Sequence, residues 1–559
     1  MFLPTTENDM RQLGWEQCDV IIVTGDSYID SPTIGAAVIG KWLQRHGFHV
    51  GIIAQPDVHS DADIARLGEP ALFWGVTGGS VDSMVANYTA LKKRRRIDDY
   101  TPGAKNDRRP DRAVIIYANL IRRAFRNTVP IVLGGIEASL RRIAHYDFWS
   151  DRVRRSILFD AKADLLVYGM GEKAILEVAR RLRDGSARED IRGTCRITKE
   201  PVSDSIELPD YDRVATDKKA FIASYRLFHE NNDPLTARGL CQKHGDRWLV
   251  QNPPAPYLST AEMDDLYSLE YELEAHPHYA RQGAIRALDT IRFSITTHRG
   301  CYGDCNFCAI TAHQGRTIQS RSAESIIAEA RRMTRHPAFK GIISDVGGPT
   351  ANMYGFDCAR KAAKGACTDK RCLAFHSCRI LNPDHSQQID LLTQLRKLDG
   401  VKKVFVSSGV RYDLILMDEK YGDAYLQELV YHVSGQLKVA PEHSEEHVLK
   451  LMGKPGIRSL LEFKKRFDLK SKRAGKKQFL TYYLIAAHPG CTARDMVRLK
   501  QHVSRELKIR PEQVQIFTPT PGTWASVMYH TETDPFSGEK IFVEKDPLRK
   551  ERQKRIVTG

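Results

Sequence analysis

The stretch Thr297-His298-Arg299-Gly300-Cys301-Tyr302-Gly303-Asp304-Cys305-Asn306-Phe307-Cys308 holds three cysteines, with three and then two residues between them. It follows the run at residues 291–296, whose composition predicts a strand. Thiolates suit iron–sulfur centres, and three on one short loop can hold three corners of a cubane cluster. Such a cluster normally takes four cysteines, so this loop leaves one iron open to a small-molecule ligand. An open metal position usually indicates catalysis.

A structural zinc site is the main alternative for these three cysteines. Zinc requires four ligands, and only His298 and His313 lie near enough in sequence to complete a local site. Free thiols in a chance arrangement are the other alternative. The spacing favours a cluster over both.

The pattern Cys301-x-x-x-Cys305-x-Phe307-Cys308 resembles the signature of radical S-adenosylmethionine (radical SAM) enzymes, whose penultimate position is aromatic. The resemblance implies a 4Fe-4S cluster whose open iron is chelated by the amino and carboxylate groups of SAM. It implies that an electron from the cluster cleaves the sulfonium to a 5′-deoxyadenosyl radical, with Phe307 against the adenine. The electron donor would be a protein such as flavodoxin or ferredoxin.

Strand-like runs alternate with helical stretches through the first third of the chain. This alternation predicts a doubly wound parallel sheet, in which ligands sit beyond the carboxyl ends of the strands. Those ends carry the turns Gly25-Asp26, Gly78-Gly79 and Gly134-Gly135. The predicted strands lie at residues 18–26, 50–54, 71–76, 113–117, 129–135 and 163–169.

This layout resembles the cobalamin-binding-like domain that precedes the core in several radical SAM enzymes. The histidine motif that ligates cobalt, Asp-x-His-x-x-Gly, should follow the first strand, but residues 26–31 carry no histidine. Asp57-Val58-His59 is an imperfect match after the wrong strand. Some relatives bind cobalamin without that histidine, so we treat cobalamin as doubtful rather than excluded.

The alternation resumes at Leu288 and predicts six strand–helix units. Six units match the open, partial barrel of radical SAM enzymes better than a closed barrel of eight, and the cysteine loop falls at a carboxyl strand end, where barrel chemistry occurs. The expected fold is α/β, with an N-terminal cobalamin-binding-like sheet followed by a partial (β/α)6 barrel. The predicted strands lie at residues 291–296, 341–345, 373–376 (a weak one), 403–407, 436–440 and 479–486.

Other strand ends carry residues that the resemblance connects with SAM. Gly347 and Gly348 occupy the position of a glycine-rich motif, where glycine lets the backbone approach a ligand closely. The segment from Ser407 to Arg411 resembles the one that contacts the ribose and the methionyl carboxylate, and a guanidinium can bind a carboxylate bidentately. Residues 439–443 and 487–490 end the next two strands and are expected to close the pocket. The predicted cofactor-binding residues are Phe307, Gly347, Gly348, Ser407 and Arg411.

Longer segments of the sequence extend the resemblance to one family within the radical SAM proteins. Residues 131–158, 316–322, 344–354 and 440–443 look like the YgiQ family of radical SAM proteins, and the resemblance runs over nearly the whole chain. The reaction and substrate of that family are undefined. The resemblance therefore implies cofactors and not a product.

A second cysteine group lies inside the barrel half. Its four members are separated by eight, four and five residues. Four thiolates can complete a closed site for a second cluster or for zinc, and chance clustering of thiols is the alternative. The same spacing in YgiQ-type proteins favours a metal. The four are Cys358, Cys367, Cys372 and Cys378.

The length and composition of the chain limit the classes of protein to which it can belong. At 559 residues the chain is long enough for two to four domains, and no apolar run approaches the ~18 residues that span a bilayer. No secretory signal is visible at residues 1–10, and eleven cysteines in irregular groups favour a reducing cytoplasm. The predicted domains are 1–196 (cobalamin-binding-like), 197–284 (linker), 285–525 (radical SAM core) and 526–559 (basic tail).

Three functions compete. The leading one is a radical SAM enzyme that acts on an unidentified substrate. The second is an RNA methylthio- or methyltransferase of the same class, suggested by the net charge of +15 and by residues 518–523, although no RNA-binding appendage follows. Nucleic acid is therefore a partner that we do not favour. The third is a non-catalytic iron–sulfur sensor, against which Gly347, Gly348 and Arg411 argue.

Overall fold

The computed structural model describes residues 1–559, which divide into two compact units. The first unit comprises Met1–Tyr257 and Asp265–Arg292, and the second comprises Leu258–Asp264 and Phe293–Gly559. No helix combines the length and the apolar character that a membrane span requires.

A nine-stranded sheet forms the core of the first unit. The strands of this unit are β1 (Val20–Thr24), β2 (Ile29–Asp30), β3 (Val50–Ala54), β4 (Phe73–Thr77), β5 (Ile131–Gly134), β6 (His145–Asp147), β7 (Arg152–Arg154), β8 (Leu165–Val167), β9 (Thr194–Thr198), β10 (Ile206–Leu208), β11 (Leu240–His244), β12 (Arg247–Gln251) and β13 (Glu274–Ala275). The sheet order is β10-β11-β12-β9-β8-β5-β4-β1-β3. Neighbours from β3 to β8 pair in parallel, which confirms the predicted doubly wound sheet.

Helices connect these strands. They are α1 (Glu7–Gln12), α2 (Gly35–Arg45), α3 (Ala62–Ala65), α4 (Ser83–Asn87), α5 (Ala113–Ala124), α6 (Gly135–Leu140), α7 (Ile157–Ala161), α8 (Glu172–Arg183), α9 (Tyr211–Thr216), α10 (Lys218–Glu230), α11 (Thr260–Ser268), α12 (Pro277–Ala280) and α13 (Ala287–Ile291). The division between the units falls within α11.

The strand predicted at residues 113–117 is wrong, because this segment begins α5. The helix buries Val114, Tyr117, Ala118 and Ile121, which recur with the spacing of one helix face. A short apolar run alone does not distinguish a strand from a buried helix.

Residues 197–284, expected to be a linker, belong mainly to the first unit. The predicted boundary at residue 196 cuts through β9. After it, β12 pairs antiparallel with both β9 and β11, and β10 pairs parallel with β11. The weak periodicity of this segment therefore reflects short antiparallel strands that extend the sheet.

The second unit contains β14 (Ser294–Thr296), β15 (His298–Arg299), β16 (Gln319–Ser320), β17 (Ile342–Ile343), β18 (Asp345–Gly347), β19 (Lys403–Val404), β20 (Gln436–Glu442), β21 (Phe479–Ala486) and β22 (Val514–Ile516). Its helices are α14 (Ile310–Gln314), α15 (Ala323–Thr334), α16 (Ala359–Lys364), α17 (Ser386–Arg396), α18 (Tyr412–Met417), α19 (Gly422–Leu429), α20 (Glu446–Met452), α21 (Arg458–Arg473), α22 (Ala493–His502), α23 (Trp524–Thr531) and α24 (Pro547–Thr558).

The barrel strands of the second unit pair in parallel, as a partial barrel requires, whereas the short strands β15 and β16 pair antiparallel. β14 pairs with β18, β17 with β19, β20 with β21, and β21 with β22. A parallel bridge between Val410 and Val439 connects the segment after β19 to β20. Because only Ser344 separates β17 from β18, they act as one strand. The result is the predicted partial (β/α)6 barrel.

Two local expectations in this unit differ from the structure. Residues 373–376 contain no strand, and β22 supplies the sixth strand position instead. Residues 526–559 are not a separate tail, because α24 packs on the barrel and buries Lys550, Gln553 and Val557. The Gln553 side-chain oxygen accepts a hydrogen bond from the Ala487 N–H at 3.0 Å.

Candidate functional site

The three cysteines of the loop lie at the carboxyl end of β14. A Cβ on Gly303 would lie 3.2 Å from Cys301 Sγ and 3.9 Å from Cys305 Sγ, so both thiols approach the same point. The Gly303 N–H donates to Cys301 Sγ at 3.4 Å, and the Cys308 N–H donates to the Cys305 carbonyl at 3.0 Å. The structure therefore brings the predicted cluster ligands onto one tight loop.

Burial raises the pKa of the Cys301 and Cys308 thiols, and the neighbouring Cys305 raises both further. Thiolates, rather than thiols, bind metals. Metal binding at this loop must therefore release protons, and this makes the affinity pH-dependent.

Backbone contacts from three helices fix the loop. The Gly300 N–H donates to the Gln314 side chain at 3.0 Å, next to α14. Asn306 accepts from the Ala525 N–H of α23 at 2.8 Å and donates its side-chain amide to the Leu451 carbonyl of α20 at 2.8 Å. Because these anchors come from distant parts of the sequence, the cysteine pattern alone did not reveal them.

Phe307 contacts His488, which follows β21. The two rings meet edge to face with their centroids 6.2 Å apart. Burial lowers the pKa of His488 to about 4, so the imidazole is neutral at pH 7. Its Nδ1 bonds the Pro489 carbonyl at 2.9 Å, which leaves Nε2 as a buried hydrogen-bond acceptor without a partner. This connects the segment 487–490, expected to close the pocket, with the cysteine loop.

The glycine turn after β18 lies against His298. A Cβ on Gly348 would lie 2.7 Å from two atoms of the His298 ring and from its carbonyl oxygen. The Thr297 N–H donates to the Gly347 carbonyl at 2.7 Å. Glycine at position 348 therefore leaves room for the His298 ring, in addition to any room that it leaves for a ligand.

Ser407 lies at the end of β19 and is held by Asp345 of β18. The Asp345 carboxylate accepts the N–H groups of Ser407 and Ser408 at 2.7 and 3.1 Å. The Ser407 hydroxyl donates to the Ser344 carbonyl at 2.7 Å. Sequence reasoning did not single out Asp345, although an acid within an otherwise apolar strand is a signal for such a role.

Arg411 connects the serine turn with the cysteine loop. Its Nε and Nη2 bind the Asp413 carboxylate at 2.8 and 2.6 Å, and its Nη1 lies 3.6 Å from Cys305 Sγ. Asn352 fixes the Arg411 backbone with hydrogen bonds of 2.7 and 3.0 Å. Asp413 thus occupies Nε and Nη2, the two guanidinium nitrogens that could bind a carboxylate side by side. The third nitrogen, Nη1, is directed at the cysteine loop.

The second cysteine group is divided in the structure. Cys358 is buried at the N-terminus of α16, and Cys372 and Cys378 pack against the same core. Cys367 lies beyond the other end of α16, where its Sγ accepts a hydrogen bond from Arg360 at 3.4 Å.

A cavity of about 590 Å³ lies beside this second group rather than beside the cysteine loop. None of the five predicted SAM-binding residues lines it. Its walls include Ile318, Phe356, Asp357, Gln387 and Asp390.

Comparison with known proteins places the chain in a family. The Radical SAM N-terminal family model matches residues 2–294. A UPF0313 protein of Fusobacterium nucleatum is 55% identical over 559 residues, covering 100% of this chain and 98% of the relative. A UPF0313 protein of Thermotoga maritima is 50% identical over 560 residues, with the same coverage. The chain therefore belongs to the UPF0313, or YgiQ, family of radical SAM proteins, as the sequence motifs predicted.

Two solved structures share the fold. The radical SAM methyltransferase TsrM of Kitasatospora setae, with cobalamin and a [4Fe-4S] cluster bound, is 14% identical with a TM-score of 0.51 over 92% of this chain and 78% of that one. The cobalamin-dependent radical enzyme OxsB, with aqua-cobalamin bound, is 12% identical with a TM-score of 0.51 over 94% and 57%. These similarities confirm the fold class and do not support the doubt about cobalamin.

Ligands of such sheets bind at the carboxyl edge, and buried charged residues lie at this edge in the first unit. Arg109 is fully buried there, 2.8 Å from Asp26 and 3.0 Å from Asp98. A Cβ on Gly25 would lie 2.2 Å from the Gly78 carbonyl oxygen. The protein's own charged side chains and close backbone contacts thus occupy the ends of β1 and β4.

Replacing Gly348 with alanine is expected to lower the iron content of the reconstituted protein severalfold, because the added Cβ would displace His298, three residues before Cys301. Gly409→Ala is the matched control, since its Cβ would meet only the Lys438 carbonyl at 3.9 Å. Equal iron content in the two variants, measured per chain, would contradict this account of the turn.

Replacing Arg109 with methionine should lower the free energy of unfolding by about 3–5 kcal/mol, because it leaves the Asp26 and Asp98 carboxylates buried without their partner. Urea denaturation of the full chain measures the loss. Arg11→Met, which removes an exposed pair with Glu7, should cost less than ~1 kcal/mol. A similar small loss for both variants would show that the buried network contributes little.

Proposed function

We propose that Cys301, Cys305 and Cys308 hold a 4Fe-4S cluster with which the protein cleaves SAM reductively. One electron from a flavodoxin- or ferredoxin-type donor would break a sulfonium C–S bond and give methionine and a 5′-deoxyadenosyl radical. That radical would take a hydrogen atom from an unidentified substrate. The observation that carries the proposal is the approach of the Cys301 and Cys305 thiols to one point on the short loop that follows β14 and also carries Cys308. Membership of a radical SAM family supports it.

The residues around the loop have separate roles in this proposal. Phe307 would lie against the adenine, and the free Nε2 acceptor of His488 beside it would accept a hydrogen bond from the exocyclic amine. Gly347 and Gly348 would let backbone groups approach the methionyl amine. Arg411 would offer its Nη1 arm to the methionyl carboxylate, while Asp413 keeps the guanidinium in place.

Arg411 also has an electrostatic role. Its positive charge lowers the pKa of Cys301 and so favours the thiolate form that binds iron. Asp413 neutralises part of that charge. The Arg411–Asp413 pair would therefore hold the Nη1 hydrogen-bond donor at the site without leaving an unpaired buried cation.

The RNA-modifying alternative rests on the basic charge, and the structure accounts for part of that charge. The basic C-terminal residues form α24, where Lys550 is buried and donates to the Tyr529 hydroxyl at 2.8 Å. No described contact favours an RNA substrate, so we keep the substrate class open.

The proposal is tested by anaerobic reconstitution with iron and sulfide, followed by dithionite and SAM. We expect 5′-deoxyadenosine to form, because the open iron would place SAM next to the electron source. Cys305→Ala removes one thiolate and should abolish both the product and the iron of the loop. Chromatography of the quenched reaction measures the product.

Cys241→Ala is the control, since this buried cysteine lies in β11 of the other unit. It should leave the product unchanged. A wild-type protein that binds iron and sulfide at the loop but forms no 5′-deoxyadenosine would overturn the proposal in favour of a non-catalytic iron–sulfur protein.

A further inference from the structure

We propose that Cys358, Cys372 and Cys378 hold a second 4Fe-4S cluster. The assignment goes beyond SAM cleavage and does not depend on it, because it concerns a separate set of thiols. The sequence leaves a cluster, zinc and unligated thiols as alternatives for the second cysteine group. The structure separates that group into three cysteines that share one core and Cys367, which does not.

The three cysteines share a buried core. Cys358 is one of its members, and Cys372 and Cys378 pack against it. The Cys378 N–H donates to the Cys372 carbonyl at 2.9 Å, which folds the chain between them into a turn. Cys372 and Cys378, on a turn, and Cys358, at a helix N-terminus, thus converge on one core.

Cys367 does not belong to this convergence. It follows the C-terminal end of α16, whereas Cys358 caps the N-terminal end. Its Sγ accepts from Arg360 at 3.4 Å, and its carbonyl accepts from Arg316 at 3.3 Å. The proposed cluster therefore has three cysteine ligands and one iron without a cysteine.

The segment that carries Cys372 and Cys378 has an unusual structure. Residues 365–385 contain neither helix nor strand, yet they bury Leu373 and Leu381. Loops longer than about 12–15 residues without secondary structure are uncommon in compact domains and are usually functional. A metal centre stabilises such a segment, because the free energy of metal binding adds to that of folding.

The spacing of ligand atoms favours a cluster over zinc. Zn–S bonds of about 2.3 Å place the sulfurs of a tetrahedral site about 3.8 Å apart. Only Glu445, His447 and Asp495 bring three ligand atoms within 4.8 Å of one another in this structure, and Arg498 pairs with both carboxylates there. The three cysteine sulfurs do not all lie within 4.8 Å of one another, as the ligands of a preformed tetrahedral zinc site would, whereas thiolates that bind different irons of a cubane need not.

The core of the second group reaches the cysteine loop. It contains Tyr302 and packs against Cys301. Tyr302 is fully buried, Lys361 lies over its ring at 4.9 Å from the centroid, and its hydroxyl has no hydrogen-bond partner. The second group and Cys301 of the loop therefore contact the same core.

Iron and acid-labile sulfide, measured per chain after anaerobic reconstitution and desalting, test the assignment. The wild type should bind about eight of each. The second-site variant, with serine at positions 358, 372 and 378, should bind about four fewer. The loop variant, with serine at positions 301, 305 and 308, should keep about four in a cluster visible by electron paramagnetic resonance after reduction.

Single substitutions test the ligand set. Cys372→Ser should lose about four irons, whereas Cys367→Ser, the matched control from the same segment, should lose none. Cys491→Ser, a buried cysteine of the same unit outside both groups, should also lose none. Circular dichroism of each variant verifies that the fold is retained.

A second-site variant that binds as much iron as the wild type would overturn the proposal, as would a loop variant without iron. Zinc at about one per chain in the loop variant, or equal iron loss in Cys367→Ser and Cys372→Ser, would also overturn it. Failure of the proposed SAM chemistry gives a different result. In that case no 5′-deoxyadenosine forms, while the loop variant still binds the four irons of the second site.

Discussion

The parallel pairing of β14 with β18, in which Thr296 lies opposite Gly347, is the constraint on which the candidate site depends. Strands that pair in parallel end at the same edge, so the cysteine loop after one strand and the glycine turn after the other become neighbours. The His298 ring fills the space that Gly348 leaves open. A shift of this register by one residue would turn the side chains of β14 to the other face and separate the two segments.

The local parts of this arrangement could be predicted from sequence. The three loop cysteines, the glycine turn and the serine turn follow strands of the same predicted barrel, so the partial barrel brings them to one edge. The long-range partners could not be predicted. Asp345 and Asn352 bind residues that follow other strands, and nothing in their own neighbourhood shows which residue they bind. Similarly, α5 at residues 113–124 was mistaken for a strand because its first apolar residues fit either structure.

In the first unit, the overall fold and the residues at the expected ligand site have to be considered separately. Its sheet has the architecture of cobalamin enzymes such as TsrM and OxsB. At the edge where a cofactor would bind, however, Arg109 and two carboxylates form a buried network. A fold does not determine a function, and the residues at the site must be compared one by one. In the second unit, Cys301 of the loop and three cysteines of the second group contact a common core that contains Tyr302.

The central claim is that a cluster on Cys301, Cys305 and Cys308 has an open iron that SAM occupies. Electron–nuclear double resonance of the dithionite-reduced protein, with SAM labelled with nitrogen-15 at its amino group, tests this most directly. The account predicts a hyperfine coupling from the labelled nitrogen in the wild type and its absence from the loop variant. A reduced cluster whose spectrum does not change when SAM is added, with no coupling to the label, would contradict it.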